Sequence, residues 1–309
     1  MDVELAVEAR GLTTYYGKAR GIVDIDLSVA RGEVLGLVGV NGAGKTTFMR
    51  TLLSFIRPTS GSVSIFGHSV TEDSVAARRL TTYLPGEFVV PPRLTGHQTL
   101  RRFTFARRDV QPQRVADLAS RLDVDLSRKV GDLSKGNRQK VALILAFAPQ
   151  VPLIVLDEPT SGLDPVLQRT FADLVSEATA QGTTVLLSSH VMSEVEQVAD
   201  RVALLRDGHL AVVDKVATLL ARSRRRGSVR PTDPSDAATI GQAIAGVAGV
   251  SSVEVAGESV TFACQGPVNG LIKLLARFDV DSLTLAHTDL EDAFFSVRNG
   301  DAAPESGTA

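Results

Sequence analysis

One cysteine, Cys264, stands alone among 309 residues, so no disulfide can form within the chain. A secreted scaffold stapled by disulfides is excluded, and the usage suits a reducing compartment. Long hydrophobic runs are missing as well. One long stretch without a charge, Val141 to Leu156, is interrupted by Pro149 and Pro152. A membrane helix needs about 20 apolar residues. The opening MDVELAVEAR is acidic and carries no apolar h-region, which is not signal-peptide chemistry. An excess of charge of one sign is lacking: 33 basic residues face 35 acidic ones, a formal net charge of −2. That balance leaves no bulk electrostatic footprint for nucleic acid or an anionic membrane. Internal repeats and sustained heptads are absent too.

What remains is the composition of a globular chain, 44% hydrophobic and 22% charged. Its length suggests two domains, and the organisation changes near residue 215. Before that point, VLGLVG (Val34 to Gly39), LIVLD (Leu153 to Asp157) and TTVLLSS (Thr183 to Ser189) are apolar runs of strand length. Runs this uniformly apolar fit strands covered on both faces, and helical patterns follow each of them. The reading is an α/β domain with a parallel sheet. Between about 88 and 150 the pattern turns helical, which reads as a helical insertion. The core to Lys215 carries 25 basic and 24 acidic residues, the remainder 8 and 11, so the second part is no basic arm.

The second part opens on Arg222-Ser-Arg-Arg-Arg226, followed by Gly227, Pro231 and Pro234. Repelling charges and turn residues read as a linker over 216–230. Beyond it the pattern is helix, two strands, helix, strand. With a strand near Val229 the order is β-α-β-β-α-β, a ferredoxin-like α+β domain. A last helix, DLEDAFFSVR, is expected to close it, and the tail 299–309 reads as disordered.

Gly39-Val-Asn41-Gly42-Ala43-Gly44-Lys45-Thr46 matches G-x-x-x-x-G-K-[ST], between a strand and the helix KTTFMRTLLSF. Glycines let backbone N–H groups turn inward and cradle phosphate oxygens, and the helix N-terminus adds free donors and partial positive charge. Thr47 follows in the same turn. Lys45 is expected to reach β- and γ-phosphates, and the Thr46 hydroxyl to ligate Mg²⁺. Asp157 and Glu158 end the apolar run LIVL, where ligands bind in open α/β sheets. Asp157 is placed to hold Mg²⁺ through water, and Glu158 to act as general base toward an attacking water.

In this order the motifs resemble one family, the ATP-binding subunits of ABC transporters. The resemblance covers roughly residues 3–215. LSKGNRQK (Leu133 to Lys140) is similar to the family's signature, with Lys135 in place of its second-position glycine and Asn137 in place of its glutamine. SGLD (Ser161 to Asp164) resembles the D-loop, and His190 falls where the switch histidine does. Tyr16 of YYGK resembles the aromatic that stacks on adenine, with Tyr15 as the alternative. Ser134 also suits an ordinary N-cap of the helix that follows. One departure stands out: after the strand TTYLP the Q-loop glutamine is Gly86, and Glu87 beside it supplies an oxygen ligand to the metal if the loop shifts by one residue.

The resemblance implies a P-loop ATPase core in residues 1–215 and an accessory domain in 216–309. It implies two copies sandwiching two ATP molecules. Lys45, Thr46 and Asp157 of one copy then face Ser134 and Gly136 of the other, with Asp164 at the seam, Glu158 as base and His190 on the γ-phosphate. The LSKGNRQK wording, the YLPGE loop and the closing DLEDAFF resemble bacterial drug exporters of the daunorubicin type, whose membrane permease is a separate chain. The implied place is peripheral, on the cytoplasmic side of the membrane, with no nucleic-acid partner. Two other classes compete with it: a non-transport ABC ATPase in DNA repair or translation, and a regulatory module with weakened hydrolysis. The first would carry a coiled-coil insertion or two cassettes. The second is favoured only by Gly86.

Overall fold

The computed structural model describes residues 4–17, 19–105, 107, 110–222 and 225–287. Two compact units divide the chain, residues 1–214 and 215–309. The first begins with two long strands, β1 (Leu5–Tyr16) and β2 (Ala19–Ala30), paired antiparallel. Then follow β3 (Val34–Val38), α1 (Lys45–Leu52), β4 (Ser60–Ile65), β5 (His68–Ser69), α2 (Ser74–Arg79) and β6 (Thr81–Leu84). Helices α3 (Gly96–Thr104), α4 (Pro112–Arg121) and α5 (Lys135–Phe147) come next. The unit ends with β7 (Leu153–Asp157), α6 (Pro165–Ala180), β8 (Thr184–Ser189), α7 (Met192–Glu196), β9 (Arg201–Arg206) and β10 (His209–Lys215).

Two sheets result. One has the order β2-β1-β4-β5, the other β10-β9-β3-β8-β7-β6. In the second, β9, β3, β8, β7 and β6 run parallel. Every residue of β3, β7 and β8 is buried, as continuous apolar runs require when both faces are covered. In β2, by contrast, Ile25, Leu27 and Val29 are buried while the residues between them are not, the alternation of a one-sided strand. Those residues join Leu35 and Leu37 of β3 and Phe48, Met49 and Leu52 of α1 in one apolar cluster. The P-loop helix is thereby clamped between the sheets, and its N-terminus is held at the C-terminal ends of β3, β7 and β8.

The helices between β6 and β7 start from local signals. Thr95 accepts from the Gln98 backbone while the Gln98 side chain returns to Thr95, a capping box at α3. Ser134 caps α5 and Asp164 caps α6. Helix α6 buries Phe171, Leu174, Val175 and Ala178, spaced along one stripe, and Phe171 meets Phe147 of α5 edge-on at 6.2 Å.

The second unit holds α8 (Val216–Arg222), β11 (Arg225–Pro231), α9 (Ala237–Ala245), β12 (Val250–Ala256), β13 (Ser259–Cys264), α10 (Asn269–Leu275) and β14 (Val280–His287). Its strands pair antiparallel in the order β12-β13-β11-β14, the ferredoxin-like arrangement. Val229, Val260 and Phe262 pack under Ile240, Ile244, Leu271 and Leu275.

The expected linker over 216–230 is corrected here: that stretch is helix α8 and strand β11, a central strand of the sheet. The arginine run misled because only every second residue of β11 faces solvent. Gly227, Val229 and Pro231 are buried, while Arg226 and Arg230 are exposed. Glycine is required at 227, since a Cβ there would stand 2.1 Å from the Phe262 ring. The expected closing helix DLEDAFFSVR and the tail 299–309 lie outside the described residues. Among the described residues no helix is long and apolar enough to cross a membrane.

Candidate functional site

Three loops leave the C-terminal ends of β3, β7 and β8 side by side, and each carries part of the site. The first is the glycine loop. Gly42 and Gly44 sit at φ 83° and 112°, backbone that L side chains rarely adopt, and Gly44 leads directly into α1. Asn41 and Gly42 are exposed at the tip of the loop, while Ala43 is buried. Lys45, buried at 6% exposure, donates from Nζ to the Gly39 carbonyl at 2.5 Å and lies 3.4 Å from Glu158 Oε1.

At the end of β7, Asp157 is almost fully buried. Thr46 Oγ1 donates to its Oδ2 at 2.8 Å and Ser188 Oγ to its Oδ1 at 2.6 Å. Ser188 Oγ also accepts the Glu158 N–H at 3.0 Å. Glu158 occupies left-handed backbone, φ 50°, which is uncommon for a residue with a side chain and concentrates at functional turns. Its carboxylate comes to rest between the Lys45 ammonium and the imidazole of His190, whose Nδ1 is 2.6 Å from Glu158 Oε2. An ionised carboxylate only accepts, so Nδ1 is the donor in this contact.

A hydroxyl and a carboxylate 2.8 Å apart form a hard-oxygen pair that suits Mg²⁺. Among the described residues no cluster of three or more His, Cys, Asp or Glu could hold a metal alone.

Tyr16, not Tyr15, is brought to the P-loop helix. The Tyr16 hydroxyl donates to Thr47 Oγ1 at 3.4 Å, and the exposed ring lies over Gly21. The Tyr15 backbone is tied instead to Thr59. Ser134, Gly136 and Asp164 do not join this cluster. Ser134 Oγ accepts the Asn137 N–H at 3.2 Å, and Asp164 Oδ1 accepts from Val166 and Leu167. The two segments touch each other: a Cβ on Gly136 would lie 3.3 Å from the Gly162 carbonyl, and the Lys135 methylenes cross Gly162.

The loop after β6 refines the reading of Glu87. Gly86 is the residue that meets Asp157, within 3.5–3.6 Å of a would-be Cβ. Glu87 is exposed and lines an adjoining groove of about 520 Å³ with Phe55, Tyr83, Phe88 and Phe103. It makes no hydrogen bond to Thr46 or Asp157. Tyr83 is part-buried in that groove wall, and its burial, helped by the charge of Asp157, pushes its phenol up to about 12.

Sequence reasoning missed a layer of polar residues behind the cluster. Ser188 bridges Asp157 and Glu158, Gln139 of α5 donates to the Pro159 carbonyl at 2.8 Å, and Glu194 collects Thr160, Ser189 and Gln168. The available signal was two serines ending an otherwise apolar strand, since buried hydroxyls need partners.

Comparison with known proteins gives the following. A family model described as ABC transporter matches residues 22–161. The bacitracin transport ATP-binding protein BcrA of Enterococcus faecalis is 33% identical over 248 residues, spanning 78% of this chain and 79% of that protein. The daunorubicin resistance ATP-binding protein DrrA3 of Streptomyces coeruleorubidus is 35% identical over 214 residues, 67% of each. A solved ATP-binding subunit of an ABC transporter is 28% identical and superposes with TM-score 0.64 over 69% of this chain and 91% of that one. A dimeric ATP-binding cassette bound to ADP and phosphate, 23% identical, shares the fold with TM-score 0.62 over 68% of this chain and 98% of that one.

Proposed function

The chain belongs to the ATP-binding proteins of ABC transporters, and from that premise we propose that it is the motor of an exporter, hydrolysing ATP between two copies of itself to drive a separate membrane permease. It is an ATPase of that family with the P-loop fold. The observation that carries the finer reading is the meeting of Lys45, Thr46, Asp157, Glu158 and His190 at three adjacent strand ends. Relatives named for bacitracin transport and daunorubicin resistance support export of a drug-like compound.

In this reading the loop from Gly39 to Thr46 holds the β- and γ-phosphates with backbone N–H groups and the Lys45 ammonium. Tyr16 stacks on the adenine, beside Thr47. Thr46 and Asp157 would hold Mg²⁺, which neutralises charge on the phosphate oxygens. A water attacks the γ-phosphorus, Glu158 takes its proton, and the bond from that phosphorus to the ADP oxygen breaks. His190, held beside Glu158 through Nδ1, faces the γ-phosphate. Ser134 and Gly136 of the second copy complete the phosphate shell at a helix N-terminus, with Asp164 at the seam. Positioning and charge stabilisation supply most of the rate. Binding closes the pair of subunits and hydrolysis opens it.

The permease is taken to dock in the groove beside Gly86, which keeps the motor peripheral, on the cytoplasmic face of the membrane. Residues 216–309 serve regulation or dimer stability. The direct test is Glu158→Gln. Expected are an ATP-bound dimer on a sizing column with light scattering, and turnover reduced by about a hundredfold or more. Wild-type turnover in that variant refutes the assigned base.

A further inference from the structure

We propose that Glu194 is a positioning residue for ATP hydrolysis, pinning in one place the two backbone segments that carry Glu158 and His190. It rests on the reading of Glu158 and His190 as the reacting pair. Glu194 lies on the short helix α7 and is part-buried. Its Oε2 accepts from Thr160 Oγ1 at 2.6 Å and from Ser189 Oγ at 2.7 Å, and its Oε1 accepts from Gln168 Nε2 at 3.2 Å. Thr160 stands two residues after Glu158, and Ser189 immediately precedes His190. One carboxylate oxygen therefore ties the loop after β7 to the end of β8, while the other oxygen anchors both to α6.

The tie has work to do because Glu158 sits in strained left-handed backbone and such geometry persists only where the surroundings hold it. The opposite side of the same loop is held by Gln139 on the Pro159 carbonyl. Ser189 is doubly engaged, accepting the Val191 N–H at 3.0 Å while donating to Glu194, so the chain on both sides of His190 is set. Glu194 makes no hydrogen bond to Glu158 or His190. Its influence runs through backbone placement, where a displacement of about 1 Å is worth about a hundredfold in rate.

The experiment measures steady-state ATP hydrolysis and ATP binding by full-length wild-type protein, Glu194→Ala, Glu194→Gln and Glu194→Asp. Glu194→Ala is expected to lower kcat about ten- to a hundredfold, with KM for ATP within about threefold. Glutamine keeps an acceptor oxygen at full reach and is expected to restore kcat to within about fivefold of wild type, whereas aspartate, one methylene short, is not. In a double-mutant cycle, Thr160→Val added to Glu194→Ala is expected to cost much less than Thr160→Val alone.

A Glu194→Ala enzyme with wild-type kcat overturns the proposal. So does one whose losses in kcat and KM are equalled by glutamine, or are additive with Thr160→Val. If Glu158→Gln itself turns over normally, the underlying site assignment fails. If Glu158→Gln is inactive and Glu194→Ala is not impaired, only the present inference fails.

Discussion

Of the three sheets among the described residues, two bury their strands in opposite ways. In the six-stranded sheet β3, β7 and β8 are covered on both faces, so the apolar side chains along them pack. Chemistry is left to the strand ends, where Gly39, Asp157, Glu158, Ser188 and His190 emerge together. The four-stranded sheet of the second unit packs one face under α9 and α10 and leaves Arg226, Ser228, Glu254, Thr261 and Thr284 along a shallow groove on the other. Its lone thiol, Cys264, faces the packed side, and burial pushes that thiol up, away from the reactive thiolate. A doubly covered sheet concentrates function at a rim, while a half-covered one spreads polar groups across a face without converging them.

That contrast can be broken or sharpened by substitution. The largest expected effect is Ile240→Ala. Ile240 is fully buried in the core of the second unit, and removing it should cost about 2–5 kcal/mol, read as a lower melting transition for that unit. ATP turnover measured below that transition should stay within about twofold of wild type. A collapse of turnover would mean that the second unit sustains the site and would erase the division of labour.

A smaller effect is expected at Tyr83, on the edge strand β6 of the six-stranded sheet. Its phenol is raised to about 12 against an ordinary value of 10.0, chiefly by burial. The folded form therefore holds the proton more tightly than the unfolded one, so this contribution is fully present below about pH 10 and is lost as pH rises toward 12. That difference corresponds to about 2–3 kcal/mol at most. Tyr83→Phe should flatten the alkaline fall in stability, measured by denaturant melts from pH 9 to pH 11.5. Parallel curves for both proteins would place the titration elsewhere.

The smallest effect is expected at Glu87→Ala. Because Glu87 lines the groove and Gly86 meets Asp157, the Mg²⁺ concentration for half-maximal hydrolysis should move by less than about twofold. Coupled transport with the permease should fall. A several-fold rise in the Mg²⁺ requirement would return Glu87 to the metal shell.

The parts of the site legible in the amino-acid order were those whose chemistry is local. A glycine loop between strand and helix, and two carboxylates after four apolar residues, declare their geometry within a dozen positions. Ser188, Glu194 and Gln139 were not legible in this way. Serine, glutamate and glutamine at those positions suit solvent equally well until the partner is known, and the partners lie 20 to 34 residues away. The 216–230 stretch failed for a related reason. Its arginines and prolines dominate the composition, while the period-two burial of Gly227, Val229 and Pro231 becomes visible only against β13 and β14.

The amino-acid order by itself determined the phosphate loop, the acidic strand end, the helical segment between them and the ferredoxin-like order of the second unit, because propensity, capping and hydrophobic period act over one or two elements. Tertiary structure alone decided which tyrosine meets Thr47, that Gly86 rather than Glu87 faces Asp157, and that one glutamate joins the loops of Glu158 and His190. Those are properties of strand register and loop approach. The hydrogen bonds that fix them act over about 3 Å between residues that sequence leaves far apart.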